Sequence, residues 1–260
     1  MKLRINILFY VVSSLITIQT LAQDTLTHKS VFPTGIALSY GQGSYSVKDE
    51  YISKEKYTGS IPYYSIEWVR FHNQNGYRLQ FEYWKSTNIS NNNVSAEVQQ
   101  FNFNQDFIYP IGRFSFLAHP VYAYLGPSVQ VFYYEIYYHF VAPGTFITPT
   151  TFGTIGSLGI NTEFLYPIGN KFAMEGLLRS NLVSFTSKNI DEQRFPHEKS
   201  PALLSVVSAT KIDCDLLMRY YPIKRLSLSL GYKFELSRIN NWDNYVGASS
   251  NVVFTVNIKI

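Results

Sequence analysis

The chain has 260 residues, and its 22 Lys and Arg against 18 Asp and Glu leave a formal net charge of only +4. Aromatic residues make up 17% of the sequence, mean hydropathy is −0.06, and there is one Cys. The hydropathy excludes a protein built of membrane-spanning helices, the aromatic content excludes intrinsic disorder, and one Cys excludes an internal disulfide framework. The small charge provides no footprint for nucleic acid. We therefore expect an all-β chain.

The N-terminus has the pattern of a secretory signal peptide. Lys2 and Arg4 are followed by an apolar stretch over residues 5–18 and by the small-x-small site Thr20-Leu21-Ala22. The alternative is a membrane anchor, but the apolar stretch is short for a span. We expect cleavage near Ala22, which leaves residues 23–260 as a single domain.

Beyond residue 30 the sequence alternates between apolar and polar residues, which is typical of strands with two different faces. In the clearest segment, Leu228, Leu230 and Tyr232 alternate with Ser229, Gly231 and Lys233. Such segments are longer than the usual five or six residues of soluble strands. They are predicted at 33–45, 61–71, 77–86, 95–108, 113–136, 153–165, 171–184, 204–220, 226–238 and 247–260.

Short turns and longer polar connections alternate between these segments. The motif Tyr-Pro-Ile recurs at Tyr109, Tyr166 and Tyr221, and because Pro cannot donate within a ladder, each copy is predicted to end a strand. Longer connections are predicted at 46–60, 86–95, 138–152, 185–203 and 239–246.

Alternating connections of this kind are typical of transmembrane β-barrels. Lipid offers no hydrogen bonds to the backbone, so strands in a membrane must form a closed ladder. We predict a closed antiparallel up-and-down transmembrane β-barrel of about ten strands, with eight or twelve as alternatives. Pro120 and Gly126-Pro127 make segment 113–136 irregular, and a bulge or bend is expected there. The three motif tyrosines are expected at the membrane interface.

The leader, the meander, the interfacial tyrosines and the apolar final strand together resemble the small outer-membrane β-barrel proteins of Gram-negative bacteria. The resemblance implies that residues 23–260 lie in the outer membrane, surrounded by its lipid, and we expect a monomer that binds no nucleic acid. Proteins of this group include enzymes, transporters and structural proteins. We expect a structural or surface-interaction role, with long connections that meet a surface ligand or protein partner.

Charged residues on the less apolar face of each segment are predicted to fill the lumen and pair with one another. They are Glu67, Arg78, Glu82, Asp106, Glu163, Glu175, Arg179, Lys211, Asp213, Asp215, Arg219, Lys233, Glu235 and Lys259. The alternative is a narrow channel for a small or amphipathic solute. The Asp213/Asp215 pair suits cation binding or acid–base chemistry, or is neutralised by Lys211 and Arg219.

A hydrolase at the outer rim is the remaining alternative, since omptin-type proteases use Asp and His there. The candidate residues, which do not match the omptin pattern, are Asp49, Glu50, Asp191, Glu192, His197 and Glu198. Ser115 and His119 allow a lipid A deacylase-like pair, although a packed lumen histidine is the simpler interpretation. No metal-ligand spacing or cofactor motif is present, so no metal or cofactor is predicted. Cys214 is expected to face lipid.

A dense aromatic cluster precedes the connection at 138–152. Its members are Phe132, Tyr133, Tyr134, Tyr137 and Tyr138. We expect an interfacial girdle here, with a ledge for an apolar ligand as the alternative.

Overall fold

The computed structural model describes residues 34–51, 53–72, 75–91, 94–117, 119–139, 150–169, 171–188, 201–241 and 243–260. The expected leader lies outside them, as does the cluster of rim candidates from Asp191 to Glu198. Within the described ranges, no helix is long and apolar enough to cross a membrane. The strands are β1 Gly35–Asp49, β2 Ser53–His72, β3 Asn75–Ser90, β4 Ser95–Phe116, β5 His119–His139, β6 Thr150–Ile168, β7 Phe172–Lys188, β8 Ala202–Ser205, β9 Ala209–Ile223, β10 Leu226–Ile239 and β11 Tyr245–Lys259.

Ten of these strands form a closed antiparallel ring. Each strand pairs with its neighbours in the chain, except that β7 pairs with β9, and the ladder between β1 and β11 closes the ring with Gly35 opposite Lys259. The short β8 pairs with β7 and lies outside the ring. The predicted ten-stranded up-and-down barrel is therefore confirmed. We call the end with the connections after β2, β4, β6 and β9 the short-turn end, and the opposite end the long-loop end.

The outer wall carries an apolar band, because successive side chains of a strand point to opposite sides of the sheet. Toward the long-loop end the band finishes in a row of aromatic residues that are partners across five neighbouring strands: Tyr40, Tyr64, Tyr83, Phe101 and Tyr133. The next outward residues are polar, for example Gln42 and Lys85. The strands thus continue beyond the apolar band at this end.

This continuation corrects the predicted lengths of three connections. The expected loops at 46–60, 86–95 and 239–246 contract to 50–52, 91–94 and 240–244. In the first half of β2 the outward residues, such as Thr58 and Ser60, are polar, so the outer face alone does not predict a strand. The inward residues Tyr57 and Ile61 are nevertheless buried in the interior. A strand that has left the lipid needs no apolar outer face, so its polar stretch was mistaken for loop.

The Tyr-Pro-Ile motif at Tyr109 is not a turn, contrary to prediction. Strand β4 continues through it to Phe116, and the register against β5 shifts between Pro110 and Gly112, which is a β-bulge. The chain reverses after Leu117, whose φ of 47° is in the left-handed region that tight turns use. The ladder with β3 ends at Ile108, so Tyr109–Phe116 and the start of β5 form a hairpin that extends past β3.

The other expected irregularity in this region is present at Gly126-Pro127. A Cβ on Gly126 would lie 1.7 Å from the carbonyl oxygen of Phe107, so only Gly permits this approach. The Asn161 side-chain amide donates to the carbonyl oxygens of Phe107, Gly126 and Pro127 at 3.0–3.1 Å. One buried amide therefore satisfies the backbone that the Pro leaves without ladder partners.

The segment predicted as one strand at 204–220 is divided into β8 and β9. Residues 206–208 form a turn between the two strands, and Leu182 is the extra residue of a bulge in the facing β7. The Asn181 side chain enters the gap, accepts a hydrogen bond from the Lys211 backbone N–H at 2.7 Å and donates to the Ala209 carbonyl oxygen at 2.6 Å. A polar side chain thus replaces the missing ladder bonds.

Candidate functional site in the barrel interior

A network of ion pairs crosses the middle of the lumen. Arg78 on β3 contacts three carboxylates, with its nitrogens 3.2 Å from Glu67, 2.5 Å from Glu163 and 3.2 Å from Glu175. Arg219 on β9 contacts the second oxygen of Glu175 at 2.5 Å. Arg78, Glu163, Glu175 and Arg219 are buried. Five strands on opposite sides of the ring are therefore joined through one guanidinium group and its neighbours.

A second part of the network surrounds Asp106. Its carboxylate accepts from Arg179 Nε at 2.8 Å and from the Ser128 hydroxyl at 2.7 Å. Both Asp106 and Arg179 are fully buried. A charge removed from water is stable only when it is paired and hydrogen-bonded, and this pair meets that condition.

The third part contains two lysines. Lys211 donates to Asp213 at 2.7 Å and also to Glu235. Lys233 contacts Glu82 at 2.7 Å and Asp215 at 3.2 Å. The two aspartates are thus held by different lysines and form no shared site. Of the two predicted neutralising cations, only Lys211 has this role, because Arg219 contacts Glu175 instead.

Thirteen of the fourteen predicted lumen residues point inward, and twelve of them are buried, with Glu67 partly exposed. Lys259 has the inward alternation of β11, but it lies at the end of that strand and is exposed, so its placement in the lumen was wrong. Inside the barrel the predicted set therefore has eight carboxylates and five cations rather than eight and six. The carboxylates accept additional hydrogen bonds from buried amides, as Asn102 and Asn104 do for Glu82 at 2.6 and 3.0 Å.

A cavity of about 40 Å³ lies beside Glu67, Arg78, Arg219 and Lys233. This volume holds only a few water molecules. Among the described residues, no cluster of His, Cys, Asp or Glu is arranged to hold a metal ion.

An aromatic plug fills the lumen between this network and the long-loop end. We give this name to the buried cluster of Tyr45, Val47, Tyr57, Ile61, Tyr63, Trp84, Ile89, Ala96, Val98, Phe132, Tyr134, Ile136, Tyr138, Ile155, Ile239, Tyr245 and Val253. Tyr134 and Tyr245 stack across the barrel with ring centroids 3.8 Å apart. Of the residues expected in a girdle at 132–138, Tyr133 and Tyr137 point outward, whereas Phe132, Tyr134 and Tyr138 belong to the plug and cannot be part of it.

An ion pair closes the plug at the long-loop end. Asp49, the last residue of β1, is fully buried and contacts Lys188 Nζ at 2.8 Å. Lys188 also donates to the Asp243 carbonyl oxygen at 2.7 Å. Asp49 is therefore a structural anchor between connections and not an exposed rim acid. Sequence reasoning missed this pair, although Lys188 and Asp49 continue the inward alternation of their strands.

The other described candidates for hydrolase chemistry are held in an ion pair or lie at the short-turn end. Glu50 contacts Lys48 at 2.8 Å, and this hydrogen bond lowers the pKa of the Glu50 carboxyl. His119 and Ser115 lie in the exposed hairpin at the short-turn end, where the His119 ring contacts Tyr166, so the packed lumen histidine was wrong. Cys214 is free and lies on the outward side of β9, as predicted.

A small apolar cluster lies inside the short-turn end. It contains Ile108, Tyr122, Tyr124, Leu165 and Ala173, with Phe71 and Tyr221 packed against it. Of the three motif tyrosines, Tyr109 and Tyr166 point outward as predicted, whereas Tyr221 points inward and is not part of a girdle. The lumen therefore has an apolar layer at each end and charged groups between them.

The fold and its surface define a transmembrane β-barrel whose predicted inward charged side chains are mostly buried. No family model matches the sequence, and no curated protein matches it.

Solved structures with a similar fold are outer-membrane proteins of varied roles. The protease OmpT of Escherichia coli is 10% identical over 90% of this chain and 98% of its own, with a TM-score of 0.47. The β domain of the Bordetella autotransporter BrkA is 9% identical over 87% of this chain and 100% of its own, with a TM-score of 0.41. The translocator domain of NalP from Neisseria meningitidis is 13% identical over 91% of this chain and 92% of its own, with a TM-score of 0.39.

Proposed function

We propose that this chain is an outer-membrane β-barrel with a closed lumen and a structural or surface-interaction role. Residues 1–22 direct export and are removed near Ala22, and the barrel is a monomer in lipid. The long-loop end meets the exterior and any ligand or protein partner. One observation carries the role: the aromatic plug, the ion-pair network and the small apolar cluster of the short-turn end follow one another along the lumen.

A filled interior favours this role over solute transport. Barrels of 16 to 18 strands leave an aqueous channel, whereas narrow barrels are filled by their own side chains. Here a cavity among the network residues has a volume of about 40 Å³, and Tyr134 and Tyr245 stack within the plug, between the network and the long-loop end.

The refolded protein is therefore expected to give no steady conductance in a planar lipid bilayer. This is the result expected if the stacked rings and paired charges close the lumen to ions. An open porin recorded in the same bilayer is the control for the measurement. Steady single-channel steps from the purified monomer would contradict the closed lumen and favour the channel alternative.

The proposed orientation predicts which end of the barrel reacts with an impermeant thiol reagent on intact cells. In a Cys214→Ser background, Lys54→Cys at the long-loop end is expected to be labelled, because Lys54 is exposed beyond the apolar band. Lys224→Cys in the short turn after β9 is expected to react only after the cells are opened. The reverse pattern would overturn the orientation, and labelling of neither in opened cells would argue against surface exposure.

A further inference from the structure

Four cations lie side by side at the short-turn end. Lys171 follows β6, Lys224 and Arg225 follow β9, and Lys259 ends β11, and all four are exposed. The Lys171 carbonyl oxygen accepts from the Tyr221 N–H at 2.8 Å, and the Arg225 carbonyl oxygen accepts from the Lys259 N–H at 2.9 Å. Two backbone hydrogen bonds therefore hold the turn after β6, the turn after β9 and the end of β11 together, and we call these four residues the basic arc.

The exposed charged side chains in the described part of this end are all cationic. Arg70 and Arg113 add two more exposed cations there, and no Asp or Glu side chain is exposed in the described part of the short-turn end. The long-loop end differs, because Lys48 is paired with Glu50 and other carboxylates are interspersed. Net positive potential is thus concentrated at the short-turn end.

The outer wall directly beside the basic arc is apolar. Ile223 and Ile258 are more than half exposed, and the Phe172 and Tyr220 rings contact each other with centroids 5.0 Å apart. Aromatic side chains are enriched where a membrane protein crosses the headgroup layer. The four cations therefore lie where the lipid-facing wall meets water.

We propose that the basic arc binds the phosphate of anionic phospholipids in the leaflet that surrounds the short-turn end. This inference rests on the proposed membrane insertion. An arginine fork and clustered ammonium groups suit phosphate oxygens, and juxtamembrane clusters of Lys and Arg attract anionic lipid. Lipid fits better than a soluble acidic protein because the cations are continuous with the apolar wall, so a bound headgroup keeps its acyl chains on Ile223, Ile258 and Phe172.

Native mass spectrometry of the detergent-refolded protein with equal amounts of phosphatidylglycerol and phosphatidylcholine tests this proposal. The wild type is expected to retain phosphatidylglycerol preferentially. Removal of the arc charges is expected to lower that preference by about tenfold, and added salt should weaken it. The test variant combines Lys171→Gln, Lys224→Gln, Arg225→Gln and Lys259→Gln. The matched control, with three lysines and one arginine at the long-loop end, combines Lys48→Gln, Lys54→Gln, Lys56→Gln and Arg238→Gln.

A shift in SDS-gel mobility between boiled and unboiled samples separates this proposal from that of membrane insertion. A variant that keeps the shift but loses the lipid preference supports the arc. Unchanged preference in the test variant, or an equal loss in the control, would overturn it. If the unboiled wild type shows no shift, the barrel proposal itself fails. If an acidic protein added to the same mixture displaces phosphatidylglycerol from the wild type, the arc binds a protein partner and the lipid assignment is overturned.

Discussion

Replacing Arg78 by Met lowers the free energy of unfolding by about 3–5 kcal/mol, the loss expected when one partner of a buried ion pair is removed. Arg78 contacts Glu67, Glu163 and Glu175, and among the residues that the structure describes only Glu175 has a second cation, Arg219. The substitution leaves the buried Glu163 carboxyl without its cation, so the carboxyl either stays charged in a low-dielectric interior or takes up a proton, and both states cost stability. Urea unfolding of the protein in lipid vesicles, followed by tryptophan fluorescence, measures the change.

Two further variants isolate the cause of that loss. Arg238→Met removes an exposed arginine and is expected to change stability by less than about 0.5 kcal/mol. Adding Glu163→Gln to Arg78→Met should recover part of the lost stability, because the unpaired charge is removed with its partner. If Arg78→Met unfolds at the wild-type urea concentration, Arg78 does not hold the network together.

Replacing Phe254 by Arg hinders insertion, with a cost of about 2–4 kcal/mol for a cation near the middle of the bilayer. Phe254 lies on the outer face of β11, where outward apolar residues run from Val252 to Ile258, so on this strand the band extends to both sides of Phe254. Its partners on the neighbouring strands are Leu230 and Tyr40. The folded fraction on unboiled gels and the urea midpoint in vesicles both report the effect.

Ser250→Arg is the matched control for this substitution. Ser250 has the same outward orientation on the same strand, four residues toward the long-loop end, and faces Ser44 across the ladder. The cost there is expected to be at most about 1 kcal/mol, as for interfacial positions. Equal costs at the two positions would contradict the boundary of the apolar band.

The side of the wall on which a residue lies could be predicted because alternation is a local property. Arg78 and Lys233 were assigned inward from their immediate neighbours alone, and their side chains do point inward. The partners of each charge could not be predicted in this way. Arg78 meets Glu163 and Glu175, and those contacts depend on how distant strands are brought together across the ring.

The ends of strands were predicted less well, because one motif had two structural outcomes. At Tyr166 the motif ends β6, and the following Gly169 has a φ of 65°. At Tyr109 the same residues form a bulge, because β5 continues to offer a partner as far as His119. Beyond Ile108 the edge of β4 that faces β3 has no strand partner in the described part of the chain. The missing N–H of Pro110 therefore breaks no ladder hydrogen bond on that edge. A motif alone does not report which neighbours are present.

The hairpin after Ile108 sets how deeply the barrel can sit in a bilayer. Along Tyr109–Phe116, the edge of β4 that faced β3 has no strand partner among the described residues. Hydrocarbon cannot hydrate these peptide groups, so this stretch must project into water. The edge of the hydrocarbon layer therefore crosses β4 before the chain reaches Tyr109. This fixes the position of the whole ring along the membrane normal.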